Sequence, residues 1–332
     1  MKAQILYKPD KIEALPLKFE NIPIPEPVDD EVLVKVEYCG VCRTDLHLVE
    51  GEIVPPSYPV IPGHQIIGKV EKMGAKVKKW KKGDKVGIPW FYSSCGKCKY
   101  CLSGKENLCE SAKFTGFHVN GGFAEYVIAK ENSLYHFPSK YKGGSGAPLL
   151  CGGVIGYRSL KFTETEEGDI LGLYGFGASA HIVLQIALWK KVRVFVFTRS
   201  PHHQKLAQEL GAEWVGHPTS SPPEKMDAAI IFAPAGELIP SALKNLNRGG
   251  RLILAGIYMT PTPPIEYSLL YEERIVRSVA NSTSQDVKEL LEIAQKMEIR
   301  TVTQLYPLEK ANEALLDLKR SAIQASAVLE IG

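Results

Sequence analysis

From residue 169 onward, short apolar runs alternate with helical stretches, and this alternation constrains the fold more than any other feature of the chain. Runs at 170–174, 192–198, 228–233, 251–256 and 275–280 read as strands, with helices at 178–189, 202–210 and 237–246 between them. Strands joined by helices of that length imply βαβ crossovers and a parallel sheet covered on both faces. The preceding part has a different texture. It opens with a short strand at 1–7, and β-branched or alternating runs follow at 31–38, 66–73, 84–90 and 123–129, separated by Pro and Gly. Pro23, Pro25 and Pro27 mark an extended edge segment. A helix at 146–161 leads away from this region. After residue 281 come a helix (285–297), a short strand near 301–305, a helix (308–318) and a last strand (322–331). A lone terminal strand must find a sheet edge, so this tail is expected to return to the first domain. The chain is therefore read as α/β, with one domain at 1–150 and 283–332 and a second, doubly wound one at 151–282. Its 332 residues suit two domains of roughly 150 each.

Several functional classes are disfavoured. Forty basic against thirty-seven acidic residues leave a charge of +3, too little to name a polyanionic partner. The run from Lys76 to Lys85 holds six lysines around Trp80, but it borders a Gly-Asp turn and reads as a solvated hairpin, so no nucleic acid is expected. Residues 170–189 are mostly apolar, yet Gly172, Gly175 and Gly177 interrupt them and His181 and Gln185 follow, so no membrane span is expected. No basic and then apolar leader opens the chain. A cytoplasmic protein is expected, in which cysteines more often bind metal or do chemistry than form disulfides.

Of seven cysteines, four form Cys95-x2-Cys98-x2-Cys101-x7-Cys109, in a turn-rich segment at about 93–111. Two-residue gaps aim successive thiolates at one ion, and the fourth closes a tetrahedron with no open position, which predicts a structural zinc. An iron–sulfur cluster uses similar ligands. Farther on, Ile170-Leu-Gly172-Leu-Tyr-Gly175-Phe-Gly177-Ala-Ser-Ala-His181 places glycines between a strand and a helix. Such a turn lets backbone N–H groups approach a pyrophosphate at the helix N-terminus. Counted from Gly172, the position expected to hold the middle glycine of G-x-G-x-x-G is Tyr174.

Three further segments, Cys39-Gly-Val-Cys-Arg-Thr-Asp-Leu-His47, Pro62-Gly-His-Gln-Ile-Ile-Gly68 and Cys151-Gly-Gly-Val-Ile-Gly156, are weak by spacing alone. In this order, with the four-cysteine loop between the second and third, with Gly121-Gly-Phe-Ala-Glu-Tyr126 and with the glycine turn, the chain resembles the zinc-dependent medium-chain alcohol dehydrogenases over nearly its whole length. The resemblance implies a GroES-like, β-rich catalytic domain and a Rossmann cofactor domain. It implies that Cys42, His64 and Cys151 are catalytic zinc ligands, that the Cys95 loop is the structural zinc lobe, and that Asp45 orients His64. Cys39 is left to core packing. Relatives commonly carry Glu after the ligand histidine; this chain has Gln65, which cannot add charge.

NAD-specific relatives carry an acid at the end of the second nucleotide-domain strand. Here Thr198 and Arg199 stand there, with His202 and His203 close behind, and a cation without the acid favours NADP(H) over NAD(H). The alternative is that Arg199 points to solvent and NAD(H) is accepted. Many relatives have an Arg near the final strand that touches the cofactor phosphates; here Ile323-Gln-Ala-Ser-Ala-Val-Leu329 offers none, so Arg43 would carry more of the pyrophosphate contact. The implied reaction is reversible hydride transfer between a primary or secondary alcohol and NAD(P). Two thiolates and an imidazole cancel the zinc charge and leave one position open for the alcohol. Thr44 would take the hydroxyl proton and pass it through the nicotinamide ribose to His47. Trp90, Phe91 and Ile155 are candidates to line an apolar pocket, although either aromatic could be core. Polyol or amino-alcohol oxidation in the same superfamily, or non-catalytic nucleotide and zinc binding, are the competing readings. The family's members are dimers or tetramers, so a homo-oligomer is expected.

Overall fold

The computed structural model describes residues 1–332, and its contacts divide the chain into two units. The first comprises Met1–Cys151 and Ser282–Gly332, the second Gly152–Asn281.

In the first unit the opening strand β1 (Lys2–Leu6) pairs antiparallel with β2 (Leu17–Asn21). The long strand β3 (Glu31–Val41) runs into helix α1 (Arg43–Val49). Then follow β4 (Ile66–Met73), β5 (Lys85–Ile88), β6 (Phe91–Ser93), the single turn α2 (Lys99–Leu102), β7 (Lys113–Phe114), β8 (Tyr126–Lys130) and β9 (Tyr135–His136). β3 organises this unit. Its first half pairs with β8 and β4, and Val32, Val34 and Val36 are buried in the core with Ile66, Val70 and Phe123. The lysines around Trp80 are tied down at the surface: Lys76 to Asp29 and Lys82 to Glu71, while the Trp80 indole N–H donates to the Glu131 carbonyl. That is the solvated hairpin expected.

The second unit starts with α3 (Gly152–Thr163) and alternates β10 (Ile170–Tyr174), α4 (Ala178–Trp189), β11 (Arg193–Phe197), α5 (Pro201–Glu209), β12 (Trp214–Gly216), β13 (Met226–Ile231), α6 (Leu238–Lys244), β14 (Leu246–Leu254) and β15 (Ile275–Ser278). All pairings are parallel, in the order β12-β11-β10-β13-β14-β15. In strand sequence this is the 3-2-1-4-5-6 arrangement of doubly wound nucleotide-binding sheets, whose ligand crevice lies at the carboxyl ends of the strands where the order reverses. β10 is buried at every residue, as a strand covered on both faces must be.

The tail returns to the first unit. Helix α7 (Ser284–Lys296) precedes β16 (Thr303–Pro307), α8 (Ala311–Lys319) and β17 (Ser326–Glu330). β17 pairs antiparallel with the far end of β3, with Leu329 opposite Cys39 and Ala327 opposite Val41. The C-terminal strand thus braces the residues just before Cys42.

Two sequence expectations are corrected. The continuous helix at 146–161 is broken: a 3-10 turn, Ala147–Leu150, ends at Cys151 with φ −135° and ψ −77°, and α3 begins only at Gly152. Cys151, the last residue of the first unit, is thus left outside the helix that follows it. The second correction concerns the glycine turn. Gly172 is not part of it but lies inside β10, where an added Cβ would sit 2.3 Å from the Met226 sulfur. Gly172 is small to admit Met226, not to admit a phosphate.

Candidate active site

Strand register brings two of the three candidate ligands together. Cys39 on β3 is opposite Ile66 on β4, and the Gly40 N–H donates to the Gln65 carbonyl at 2.9 Å. Residues just past β3 and just before β4 must therefore be neighbours, and these are Cys42 and His64. Cys42 Sγ lies 3.3 Å from His64 Nε2 and 3.9 Å from Cys151 Sγ, and His64 Nε2 lies 3.3 Å from Cys151 Sγ. A tetrahedral zinc with Zn–S near 2.3 Å and Zn–N near 2.0 Å holds its ligand atoms roughly 3.5–3.8 Å apart, so this triangle fits one. Three ligands define one face of the tetrahedron and leave its fourth corner open.

Asp45 fixes the donor set. Its carboxylate is buried at the first turn of α1 and accepts from the Cys42 N–H (2.9 Å), the Gly63 N–H (3.2 Å) and His64 Nδ1 (3.1 Å). A proton on Nδ1 leaves the lone pair on Nε2, the atom that faces both sulfurs. Contact with Cys151 and burial push the Cys42 thiol well above its ordinary range. A cation in the triangle reverses that preference by binding the thiolate. Gln65 is buried against Gly40, and its Nε2 has no hydrogen-bond partner.

The other four cysteines also converge. Sulfur separations are 3.9 Å (Cys95–Cys101), 3.6 Å (Cys98–Cys101) and 3.5 Å (Cys109–Cys95), and all four lie within 4.8 Å of one another. None is in a disulfide. Backbone N–H groups of Lys97 and Cys98 point at the Cys95 sulfur and lower its pKa to about 6. A closed four-thiolate set of this size fits a structural zinc. Cys39 is fully buried in the core, as expected of a packing residue.

Thr44 and His47 are both on α1, three residues apart and hence on one helical face. Both are half-buried, and Arg43 at the start of the helix is exposed. The Trp90 ring meets the His64 imidazole edge-on, with centroids 4.7 Å apart, and stacks on Phe114 at 5.2 Å with Phe117 beside it. Phe91 is buried in the β6–β7 ribbon, which gives it a packing role. Ile155 belongs to the second unit, on α3. Phe114 and Phe117 escaped the sequence reading because nothing in their spacing ties them to His64.

In the second unit the glycine turn starts three residues later than counted from sequence. Gly175 directly follows β10 with φ +87°, and its missing Cβ would lie 3.0 Å from the Ala233 N. Gly177 caps α4, and nothing stands within 4 Å of where its Cβ would be. Ala180 is fully buried between α4 and the sheet. These are the three roles of G-x-G-x-x-G/A: tight turn, open backbone for the pyrophosphate, close helix–strand packing. The fingerprint is Gly175-Phe-Gly177-Ala-Ser-Ala180. Tyr174 is thus no departure from it, but a core strand residue stacked on Phe197 at 4.0 Å. At the end of β11, Thr198 is buried, whereas Arg199 is exposed and Ser200 caps α5 by accepting from the His203 N–H.

A three-ligand metal site with an open corner, a four-thiolate lobe and a dinucleotide fingerprint on a doubly wound sheet define a zinc-binding, nicotinamide-dependent dehydrogenase. Residues 28–139 match the family model described as "Alcohol dehydrogenase GroES-like domain", and residues 180–296 the one described as "Zinc-binding dehydrogenase". The chain is 43% identical over its full length to "Probable alcohol dehydrogenase AdhA" of Mycobacterium tuberculosis, covering 97% of that protein. It is 34% identical to an alcohol dehydrogenase of Geobacillus stearothermophilus, each covered in full. A solved structure of a CAD from Helicobacter pylori complexed with NADP(H) superimposes with a TM-score of 0.88 at 26% identity, over 99% of both chains. The chain belongs to the zinc-dependent medium-chain alcohol dehydrogenase family. Its fold pairs a GroES-like domain with a Rossmann-type domain, and its activity is that of a zinc-dependent oxidoreductase acting on alcohols. No helix is long and apolar enough to cross a membrane.

Proposed function

We propose that the enzyme interconverts a small apolar alcohol and its aldehyde or ketone with NADP(H), using one zinc at Cys42, His64 and Cys151 and a second, structural one at Cys95, Cys98, Cys101 and Cys109. The convergence of the Cys42, His64 and Cys151 donor atoms, with one corner open, carries this reading. When bound, the ion supplies Lewis acidity that makes a hydroxyl more acidic, and the nicotinamide supplies a hydride acceptor or donor.

The protein's own groups do the rest. Asp45 holds His64 in the tautomer that binds metal. Thr44 Oγ1 accepts the substrate hydroxyl proton, and His47 holds it before release to water. Trp90 forms an apolar wall against His64, which supports an apolar substrate. The amide of Gln65 keeps the donor set electrically neutral once zinc is bound. In the second unit Gly175 and Gly177 bring backbone to the pyrophosphate, and exposed Arg199 with Ser200 receives a 2′-phosphate. The NADP(H) complex of the Helicobacter pylori relative supports that preference.

A homo-oligomer is supported by the edge strand β15, which leaves Ile275 and Val276 exposed. Seven cysteines without a disulfide fit a reducing, cytoplasmic setting. Steady-state kcat/KM across a panel of alcohols and aldehydes, with each cofactor, tests the proposal. We expect at least about tenfold preference for NADP(H), lost in Arg199→Ala; each tenfold is about 1.4 kcal/mol. Preference for NAD(H) would overturn the cofactor reading, and inactivity across the panel would overturn the substrate reading.

A further inference from the structure

We propose that Glu52 is the positioning residue of His47: it fixes the imidazole tautomer so that Nε2 receives the substrate-derived proton. The inference rests on the proton-relay role of His47 given above. It starts from the turn after α1. The helix ends at Val49, and Gly51 then takes φ +79°, with no room for a Cβ, which would lie 2.9 Å from Pro9. That reversal folds the next residues back over the helix, and the N–H groups of Glu52 and Ile53 both donate to the His47 carbonyl, at 2.9 and 3.2 Å. The Glu52 carboxylate Oε2 consequently meets His47 Nδ1 in a short contact.

A carboxylate has no proton to give at neutral pH, so Nδ1 must be the protonated nitrogen of the neutral ring. The lone pair then resides on Nε2. When a proton arrives, an O–H bond of the donor breaks and an Nε2–H bond forms. The Nδ1–H stays in place, and Glu52 remains ionised beside the new imidazolium. Reversal of the flow returns the proton from Nε2 for carbonyl reduction.

The other charged groups of the surrounding elements are committed elsewhere. Asp45, on the same helix, serves Cys42, Gly63 and His64. Glu50 is ion-paired at 2.7 Å to Lys319 of α8, which also holds Glu13 in the 3-10 turn Ile12–Ala14. Arg43 begins the helix and is exposed. Glu52 is the acid that reaches the ring.

The test compares zinc-loaded wild type, Glu52→Gln, Glu52→Asp, His47→Gln and the Glu52→Gln/His47→Gln double variant, by pH profiles of kcat and KM for alcohol oxidation. Nitrogen NMR of the His47 ring gives an activity-independent readout. With Glu52→Gln we expect kcat near neutral pH to fall about tenfold, with KM changing less than about twofold. The pH profile of kcat departs from that of wild type, because the amide does not favour one tautomer as the carboxylate does. The NMR signature changes from Nδ1–H to a mixture of tautomers. Glu52→Asp restores most of the rate, and Glu52→Gln adds nothing in the His47→Gln background. If Glu52→Gln keeps the wild-type profile and tautomer while His47→Gln alters the profile, the relay stands and the role of Glu52 is overturned. An equal loss from Glu52→Gln with and without His47 would likewise overturn it, as would failure of both Glu52 variants to fold. If His47→Gln itself leaves the profile unchanged, the relay reading is what fails.

Discussion

Replacing single glycines around β10 separates a packing role from a phosphate role. Gly177 has a negative φ of −111°, and its Cβ position is open, so Gly177→Ala should fold with stability within about 0.5 kcal/mol of wild type. The added methyl would occupy the space through which the backbone approaches the pyrophosphate. Loss of one charge-assisted hydrogen bond there costs about 1.5–3 kcal/mol, or roughly 10- to 150-fold in dinucleotide Kd. Gly172→Ala should behave in the opposite way. Its methyl would lie 2.3 Å from Met226 Sδ, so that side chain must move in a strand buried on both faces. Overpacking of this kind costs about 1–3 kcal/mol of stability and leaves cofactor affinity unchanged. Thermal unfolding of the cofactor-free protein and calorimetric titration with NADP(H) and NAD(H) measure the two quantities independently. Gly175 is less informative, because its φ of +87° makes alanine strained whatever the ligand does. Weak binding by Gly172→Ala at full stability, with normal binding by Gly177→Ala, would refute the register Gly175-x-Gly177-x-x-Ala180.

Two further outcomes are expected. Asp45→Asn leaves one carbonyl oxygen for three N–H donors, so zinc affinity at Cys42, His64 and Cys151 should fall about 10- to 100-fold in chelator competition; unchanged affinity would remove Asp45 from the site's support. His181 is fully buried, and burial lowers its pKa to about 4 from the usual 6.5, so it is neutral in the fold but protonated in the unfolded chain between those values. The unfolded state then binds more protons, and stability falls with decreasing pH across that window, by about 2 kcal/mol at pH 5. Denaturant unfolding of wild type and His181→Gln at pH 7 and 5 checks this: the variant should lose less, and equal losses would contradict it.

Much of the site could be read from the sequence because metal ligation needs particular residue types at close spacing. The four cysteines of the lobe are near neighbours in the chain. Cys42, His64 and Cys151 are not, and their meeting depends on the register of β3 against β4 and on the break at Cys151, neither of which periodicity encodes. The domain split followed from the change in hydrophobic texture at residue 169, and the return of the tail from the need of a lone strand for a partner. The glycine register is not legible in the sequence, because Gly172, Gly175 and Gly177 are equivalent as letters; only φ and the neighbouring Met226 and Ala233 distinguish them. Glu52 carried no signal either, since its role arises from the backbone reversal at Gly51.

The most direct measurement is the zinc content of purified protein, by mass spectrometry, for wild type and Cys151→Ser. Wild type should hold about two zinc ions per chain. The variant should keep about one, in the four-cysteine lobe, and lose alcohol oxidation, since a three-ligand site is left with two strong donors. Two tightly held ions and undiminished turnover in Cys151→Ser would contradict the assignment of the reacting zinc to Cys42, His64 and Cys151.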